Sequence, residues 1–551
     1  MKTVKLLFIS SIISSTSMYS QTLSDAVKQT TNEQYETAEA SFKALLQGQP
    51  NNGDIYFYYG ENYFKNENLE MANTLYQKGV DVNATNPLCY AGLGKIKWYK
   101  GKQAEAKTDF YKAATLAKTY KYDGVAAISE GGKNTPPKAK FVLNSEAVVL
   151  AKTAEAYIKS ENKNVADAQT LLAQAIKLEP NNPEIIILTG DAYLEQNDGT
   201  KAIEYYEKAG ALDPKSVKSI LRQGQLFYRA KNYNLALDLY KKALSIDSLF
   251  APAYLEMAEI YVLAGQFNKA VPLYKRYLLL NNNCSARANY AGSLNRAKQY
   301  KESIEAVNEA LKCDSANIYL YRYKGYSQYE TGDYPNGLAA MNKFFDKAAK
   351  KTDFKIIVED YEYRAKLLSK NNKDSLAILD YAKALEAHPD KIELIGDIAT
   401  AYMKMKKWAE AISFFNKKIA LGKPNINDYY GLVRAYYYSK DFVKADSAVA
   451  QMIQLQPDLA LGHLWKAKVN IQEDLKNEKW LAKASYEAYL AKVKPEDADK
   501  NKRDLIDAYN YLAAYYAEKK DCASVKLYMQ KVLELDPANA QAKKVLAGLK
   551  C

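Results

Sequence analysis

Proline and its neighbours punctuate this chain at a fixed step: Pro180 and Pro214 are 34 residues apart, and Pro389 and Pro457 twice that. Between such marks one pattern is rewritten. From Pro183 it reads Ile186-x2-Thr189-Gly190-x2-Tyr193, then Ala202-x3-Tyr206, Ala209 and Pro214. A large residue, a small one four later and an aromatic three beyond that share one helical stripe. The period therefore describes two short antiparallel helices, A and B, joined by a polar turn such as Ala264-Gly265-Gln266. The small residue (Gly190, Gly224, Ala258, Ala365 or Ala399) is expected where A and B approach closely. Proline after helix B stops it, because it lacks the N–H and clashes with the preceding turn.

These residues resemble the tetratricopeptide repeat family, whose unit is a helix–turn–helix of about 34 residues. In that register the units run near 21–52, 53–86, 87–118, 145–182, 183–216, 217–250, 251–283, 284–317, 318–351, 358–391, 392–425, 426–459, 460–497 and 502–539. The expected fold class is all-α: an α-solenoid of about fourteen such repeats ending in a capping helix over 540–551. The resemblance implies a right-handed superhelix with a concave face lined mainly by helix A, used to bind proteins or peptides. It reads the chain as an N-terminal block (21–118), a Gly/Pro-rich insertion (119–144) and a main array (145–539).

Composition is explained by the repeat. The 47 tyrosines fall largely on core positions, among them Tyr56, Tyr63, Tyr76, Tyr193, Tyr206, Tyr240, Tyr254, Tyr261, Tyr274, Tyr381 and Tyr402. The net charge of +13 is spread over helix faces, and no aromatic–basic nucleic-acid module is present. The first 20 residues read as a secretory signal peptide: Lys2 and Lys5, the apolar run 6–13, then small polar residues with cleavage after Ser17 or Ser20. No cysteine precedes Cys89, which excludes a lipid anchor directly after that leader, and no later apolar run has the length of a membrane span. The expected location is the periplasm, the outer membrane periphery or the exterior.

An exported chain meets an oxidising compartment. Cys284 opens a helix A and Cys313 ends its helix B, so the two lie side by side in the hairpin. Cys522 follows an A–B turn, and Cys551 ends the cap at the same edge. Two disulfides, Cys284–Cys313 and Cys522–Cys551, are expected, with Cys89 free.

Signals for catalysis are absent. His388 and His463 lie two units apart with no metal-ligand or triad spacing, and there is no phosphate loop, Cys-x-x-Cys or nucleophile elbow. No cofactor, metal or catalytic residue is expected. Two stretches break the rhythm: 119–144, a surface loop, hinge or groove cover, and 473–502, where Trp480, Tyr486 and Tyr489 suggest a lengthened helix B. Helix A side chains outside the core stripe are the groove candidates: Arg222, Gln225, Tyr228 and Arg229; Asn289, Asn295 and Arg296; Arg322, Tyr323, Tyr326 and Tyr329; Arg434, Tyr437 and Tyr438. Arg and Tyr are favoured at binding hot spots. The Lys/Asn clamp of chaperone-binding repeats does not occur. The resulting expectation is a non-enzymatic envelope scaffold for protein or peptide partners in assembly or secretion. The alternative is a periplasmic ligand-binding or peptidoglycan-associated module using the Arg/Tyr groove.

Overall fold

A computed structural model of the chain describes residues 22–121, 144–422 and 424–549. The signal-peptide reading, most of the 119–144 insertion and Cys551 lie outside these residues. Among the described residues there are twenty-nine α-helices and no strand. Consecutive helices pair as hairpins, and the chain divides into two compact units, Met1–Ser315 and Ala316–Cys551.

The first unit holds eight hairpins. Their A and B helices are Leu23–Thr31 with Tyr35–Gly48, Gly53–Lys65 with Leu69–Val82, and Pro87–Tyr99 with Gln103–Ala117. Ser145–Lys159 with Val165–Leu178, Pro183–Glu195 with Gly199–Leu212, and Val217–Arg229 with Tyr233–Ile246 follow. Ala251–Leu263 with Phe267–Leu280 and Cys284–Arg296 with Tyr300–Cys313 complete it. The second unit holds six: Ile318–Glu330 with Tyr334–Ala348, Val358–Lys370 with Asp374–Ala387, Glu393–Lys404 with Trp408–Ala420, Ile426–Tyr438 with Phe442–Leu455, Ala460–Glu473 with Lys483–Lys492, and Lys502–Glu518 with Cys522–Leu535. The last helix, Ala540–Gly548, covers the final hairpin.

Local chemistry sets the helix ends. Asn52, Asn86, Asn182 and Asn317 cap four of the A helices by accepting backbone N–H bonds, relieving donors that have no intrahelical partner. Most A–B turns place one residue in the left-handed region, for example Gly265 (φ 69°) and Lys298 (φ 62°). Pro180, Pro214, Pro389 and Pro457 each follow the residue that closes a helix B.

The close approach of A and B is made by a tyrosine. The fully buried rings of Tyr76, Tyr206 and Tyr240 on helix B lie over Gly60, Gly190 and Gly224 on helix A. A Cβ on those glycines would stand 2.4, 2.5 and 2.4 Å from ring carbons. Each such ring stabilises its hairpin by about 2–3 kcal/mol through burial. Tyr274 and Tyr381 are buried likewise, and Tyr56, Tyr63, Tyr193, Tyr254, Tyr261 and Tyr402 pack half-buried at the rims of core clusters.

The hairpins on either side of the 119–144 insertion are direct neighbours. Trp98 and Phe110 share one core with Tyr157 and Leu172, and the Trp98 and Tyr157 rings lie 4.3 Å apart. The Trp98 indole donates to Ser160 Oγ and to the Asn162 carbonyl.

At 473–502 the expected lengthened helix B is corrected: the helix Lys483–Lys492 has only 10 residues. The extra chain forms the A–B turn instead. Asp474 accepts backbone bonds from Glu478, Lys479 and Leu481, so its carboxylate replaces the helical ladder. Trp480 leaves helix geometry at φ 52° and donates to Glu518 on the next helix A, which is itself lengthened to 17 residues.

Cys284 and Cys313 form a disulfide across their hairpin, with Cα atoms 6.1 Å apart. Cys89 is free and buried. The Cys522–Cys551 pairing involves a residue outside the described set.

Candidate functional sites on the helix A faces

In the first unit, the residue after the small position of helix A is polar in hairpin after hairpin: Glu61, Lys95, Glu155, Asp191 and Gln225. Stacking brings these together in a ladder that crosses six hairpins. Lys95 Nζ lies 2.8 Å from Glu61 and 3.8 Å from Glu155. Lys152 bridges the same two carboxylates at 3.3 and 3.2 Å. Lys159 continues from Glu155 (3.4 Å) to Asp191 (3.7 Å), and Arg222 Nε lies 3.0 Å from Asp191. Arg222 then donates to Gln225, and Gln225 to Glu256.

The core tyrosines feed the ladder from beneath. Tyr76 donates to Glu61 at 2.6 Å, Tyr206 to Asp191 at 2.8 Å and Tyr240 to Glu256 at 3.3 Å. One residue thus fills the core and satisfies a buried carboxylate at its edge. Burial opposes charge on Glu61, but Lys95 and Lys152 outweigh it and hold the carboxyl at about 2. Glu155 is held well below the usual carboxylate range: burial again opposes, and Lys152, Lys95 and Lys159 prevail. Lys65 has an exposed side chain, and desolvation together with the charges of Lys218 and Lys152 lowers it to about 8.

The first unit also closes on itself. Asn32 donates to Asp247 across 215 residues of chain, and Lys28 lies 3.2 Å from the same carboxylate. Glu33 accepts from Tyr277 and Asn281. The first hairpin therefore meets the sixth and seventh.

The groove candidates separate in this geometry. Arg222 and Gln225 are members of the ladder. Arg229, Asn289 and Arg296 are exposed, and Arg296 sits over the Phe267 ring at 5.3 Å. In the second unit Arg322 is 8% exposed and makes two parallel bonds to Asp360, at 2.7 and 2.8 Å. Tyr326 donates to the same carboxylate and stacks on Tyr363, with ring centroids 3.9 Å apart. These two residues join consecutive hairpins rather than face an open surface. Tyr323 is half-buried. Arg434 and Tyr437 share an aromatic cluster: Arg434 lies over Tyr430 at 5.4 Å, and Tyr437 meets Trp465 edge-on. Tyr438 beside them is 48% exposed and stacks on Trp408.

His388 lies 3.6 Å from Asp390 at a hairpin end, and His463 is bonded to the Pro457 carbonyl. Among the described residues no group of three His, Cys, Asp or Glu is placed to hold a metal ion, and no helix is long and apolar enough to cross a membrane.

The tetratricopeptide repeat family model matches residues 160–223 and 227–294. The C-terminal part of a TPR repeat-containing protein of Cytophaga hutchinsonii is 31% identical, over 48% of this chain and 100% of that one, with a TM-score of 0.43. Among curated proteins, Stress-induced-phosphoprotein 1 of Caenorhabditis elegans is 28% identical over 169 residues, 30% of this chain and 47% of that one. A TPR repeat-containing protein of Methanocaldococcus jannaschii is 26% identical over 191 residues, 34% of this chain and 26% of its own length. The chain thus spans about half or less of the curated relatives it matches.

Proposed function

Because the chain belongs to the tetratricopeptide repeat family, we propose that it is a non-enzymatic scaffold of the cell envelope, holding protein or peptide partners in an assembly or secretion process. Repeats of this family act generally as protein-interaction scaffolds. The observation that carries the reading is the helix Ile426–Tyr438. Arg434 there makes no ion pair, in contrast to Arg222 and Arg322, and it is flanked by Tyr430, Tyr437 and the exposed Tyr438. An arginine free to bond, set among stiff aromatic rings, is the composition of a binding hot spot. The Cys284–Cys313 disulfide and the leader-like first 20 residues support export.

Crosslinking mass spectrometry in the native cell tests the proposal. Envelope proteins crosslinked around 426–438, and lost in an Arg434→Ala, Tyr437→Ala double variant, are the expected result. A chain recovered only as a free monomer, or crosslinks that the variant leaves intact, overturns it.

A further inference from the structure

Between Glu259 and Glu302 the sequence contains no Asp or Glu, while Lys and Arg recur seven times. The stretch spans the helix Phe267–Leu280 and the helix Cys284–Arg296 that follows it. Without carboxylates at hand, its cations rest on aromatic rings. Lys269 lies over Tyr261 at 5.4 Å, and Arg296 over Phe267 at 5.3 Å. Neither they nor Lys298 make an ion pair.

Lys269, Arg296 and Lys298 all line one cleft. A space of about 500 Å3 lies between the first turn of the helix Phe267–Leu280 and the end of the helix Cys284–Arg296. It is lined by Gln266, Phe267, Lys269, Arg296 and Lys298 among others. Gln266 occupies the N-cap position and makes no side-chain capping bond. Lys298 stands in the A–B turn at φ 62°, in the left-handed region that glycine adopts more readily than lysine.

We propose that this cleft binds a phosphate group. Three unpaired cations around a small opening match a compact group that carries more than one negative charge on several oxygens. The planar Arg296 fork bonds two such oxygens, and Lys269 and Lys298 add point charges. The cleft belongs to the first unit and the Arg434 helix to the second, and the proposal does not depend on the scaffold reading. The phosphate belongs either to a free small molecule or to a lipid headgroup, and the test separates these sources.

The full chain is titrated with inorganic pyrophosphate by calorimetry. In parallel it is floated with phosphatidylcholine vesicles, with and without phosphatidylglycerol. The variants are Arg296→Gln with Lys298→Gln, and Lys241→Gln as a control in the same unit. Pyrophosphate binding that weakens at least about tenfold in the double variant, and not in the control, assigns a free phosphate. Flotation only with phosphatidylglycerol, lost in the double variant alone, assigns a headgroup. Absence of binding in both arms, or binding the double variant retains, overturns the proposal. If the double variant melts early, Lys298→Gln alone, in an exposed turn, carries the same comparison.

Discussion

Lys95 Nζ lies 2.8 Å from Glu61 Oε1, and the two residues, 34 apart in sequence, are only 3% and 4% exposed. One repeat step along the chain has become one buried ion pair between neighbouring hairpins. Glu61→Gln removes its charge and leaves buried Lys95 with only the longer 3.8 Å contact to Glu155, so it should destabilise the first unit by about 3 kcal/mol. Urea unfolding followed by an optical probe in this unit measures the loss. A double variant, Glu61→Met with Lys95→Met, should recover much of it, since apolar replacement of a whole buried pair is tolerated.

The same carboxylate sets an acid limit. Glu61 is held at about 2, below its ordinary 4.5. A depressed carboxyl contributes stability that is complete above the unfolded value and is lost as pH falls through the folded one. The melting temperature of the first unit should therefore fall steeply between pH 4.5 and 2, and the fall should be shallower in Glu61→Gln.

Lys65 should react faster than an ordinary exposed lysine near pH 8. Desolvation and the facing charges of Lys218 and Lys152 bring it to about 8, so about half is neutral at that pH. Brief acylation at pH 8 followed by peptide mass spectrometry should label Lys65 ahead of the exposed Lys241. Lys218→Ala should slow that labelling. Equal rates at Lys65 and Lys241 would contradict the assigned environment.

Gly190→Ala should cost about 1–3 kcal/mol, because its Cβ meets the Tyr206 ring at 2.5 Å and the Ala202 carbonyl stands behind. Gly265→Ala is a different case. No atom lies within 4 Å, and only its φ of 69° opposes the methyl, at roughly 1 kcal/mol. Thermal melts of the two variants separate crowding from backbone strain.

Reduction of Cys284–Cys313, or Cys284→Ser, should destabilise the eighth hairpin by about 2–4 kcal/mol, since the bridge closes a 29-residue span. Faster amide exchange confined to 284–313 after reduction is the expected signature. Unchanged exchange there would count against a stabilising role.

The hairpins were legible because each must repeat the same small and aromatic positions to pack on its neighbours. The Tyr206–Gly190 contact is written in that repetition, and so is the Cys284–Cys313 pair. The ladder was equally visible, since Glu61, Lys95, Glu155, Asp191 and Gln225 all follow a small residue. Each of these side chains taken singly looks like an ordinary polar residue beside the core, and only as a series do they form a ladder. Arg322 and Tyr326 are expected as groove residues of helix A, but sequence spacing does not reveal that Asp360 of the next hairpin satisfies both. The 474–482 turn escaped because one carboxylate, Asp474, outcompetes the helical ladder for three amides. The meeting of Asn32 with Asp247 depends on small rotations added over many hairpins, and no local pattern carries that sum.

That meeting alters how the first unit responds to damage. A linear stack has two free ends, and melting starts where a hairpin lacks a neighbour on one side. With Lys28 and Asn32 bound to Asp247, and Glu33 to Tyr277 and Asn281, the first hairpin has company on both faces. The row of hairpins acquires a periodic boundary. Fraying from the amino end then requires two interfaces to break at once, and a lesson learned at residue 247 is felt at residue 28.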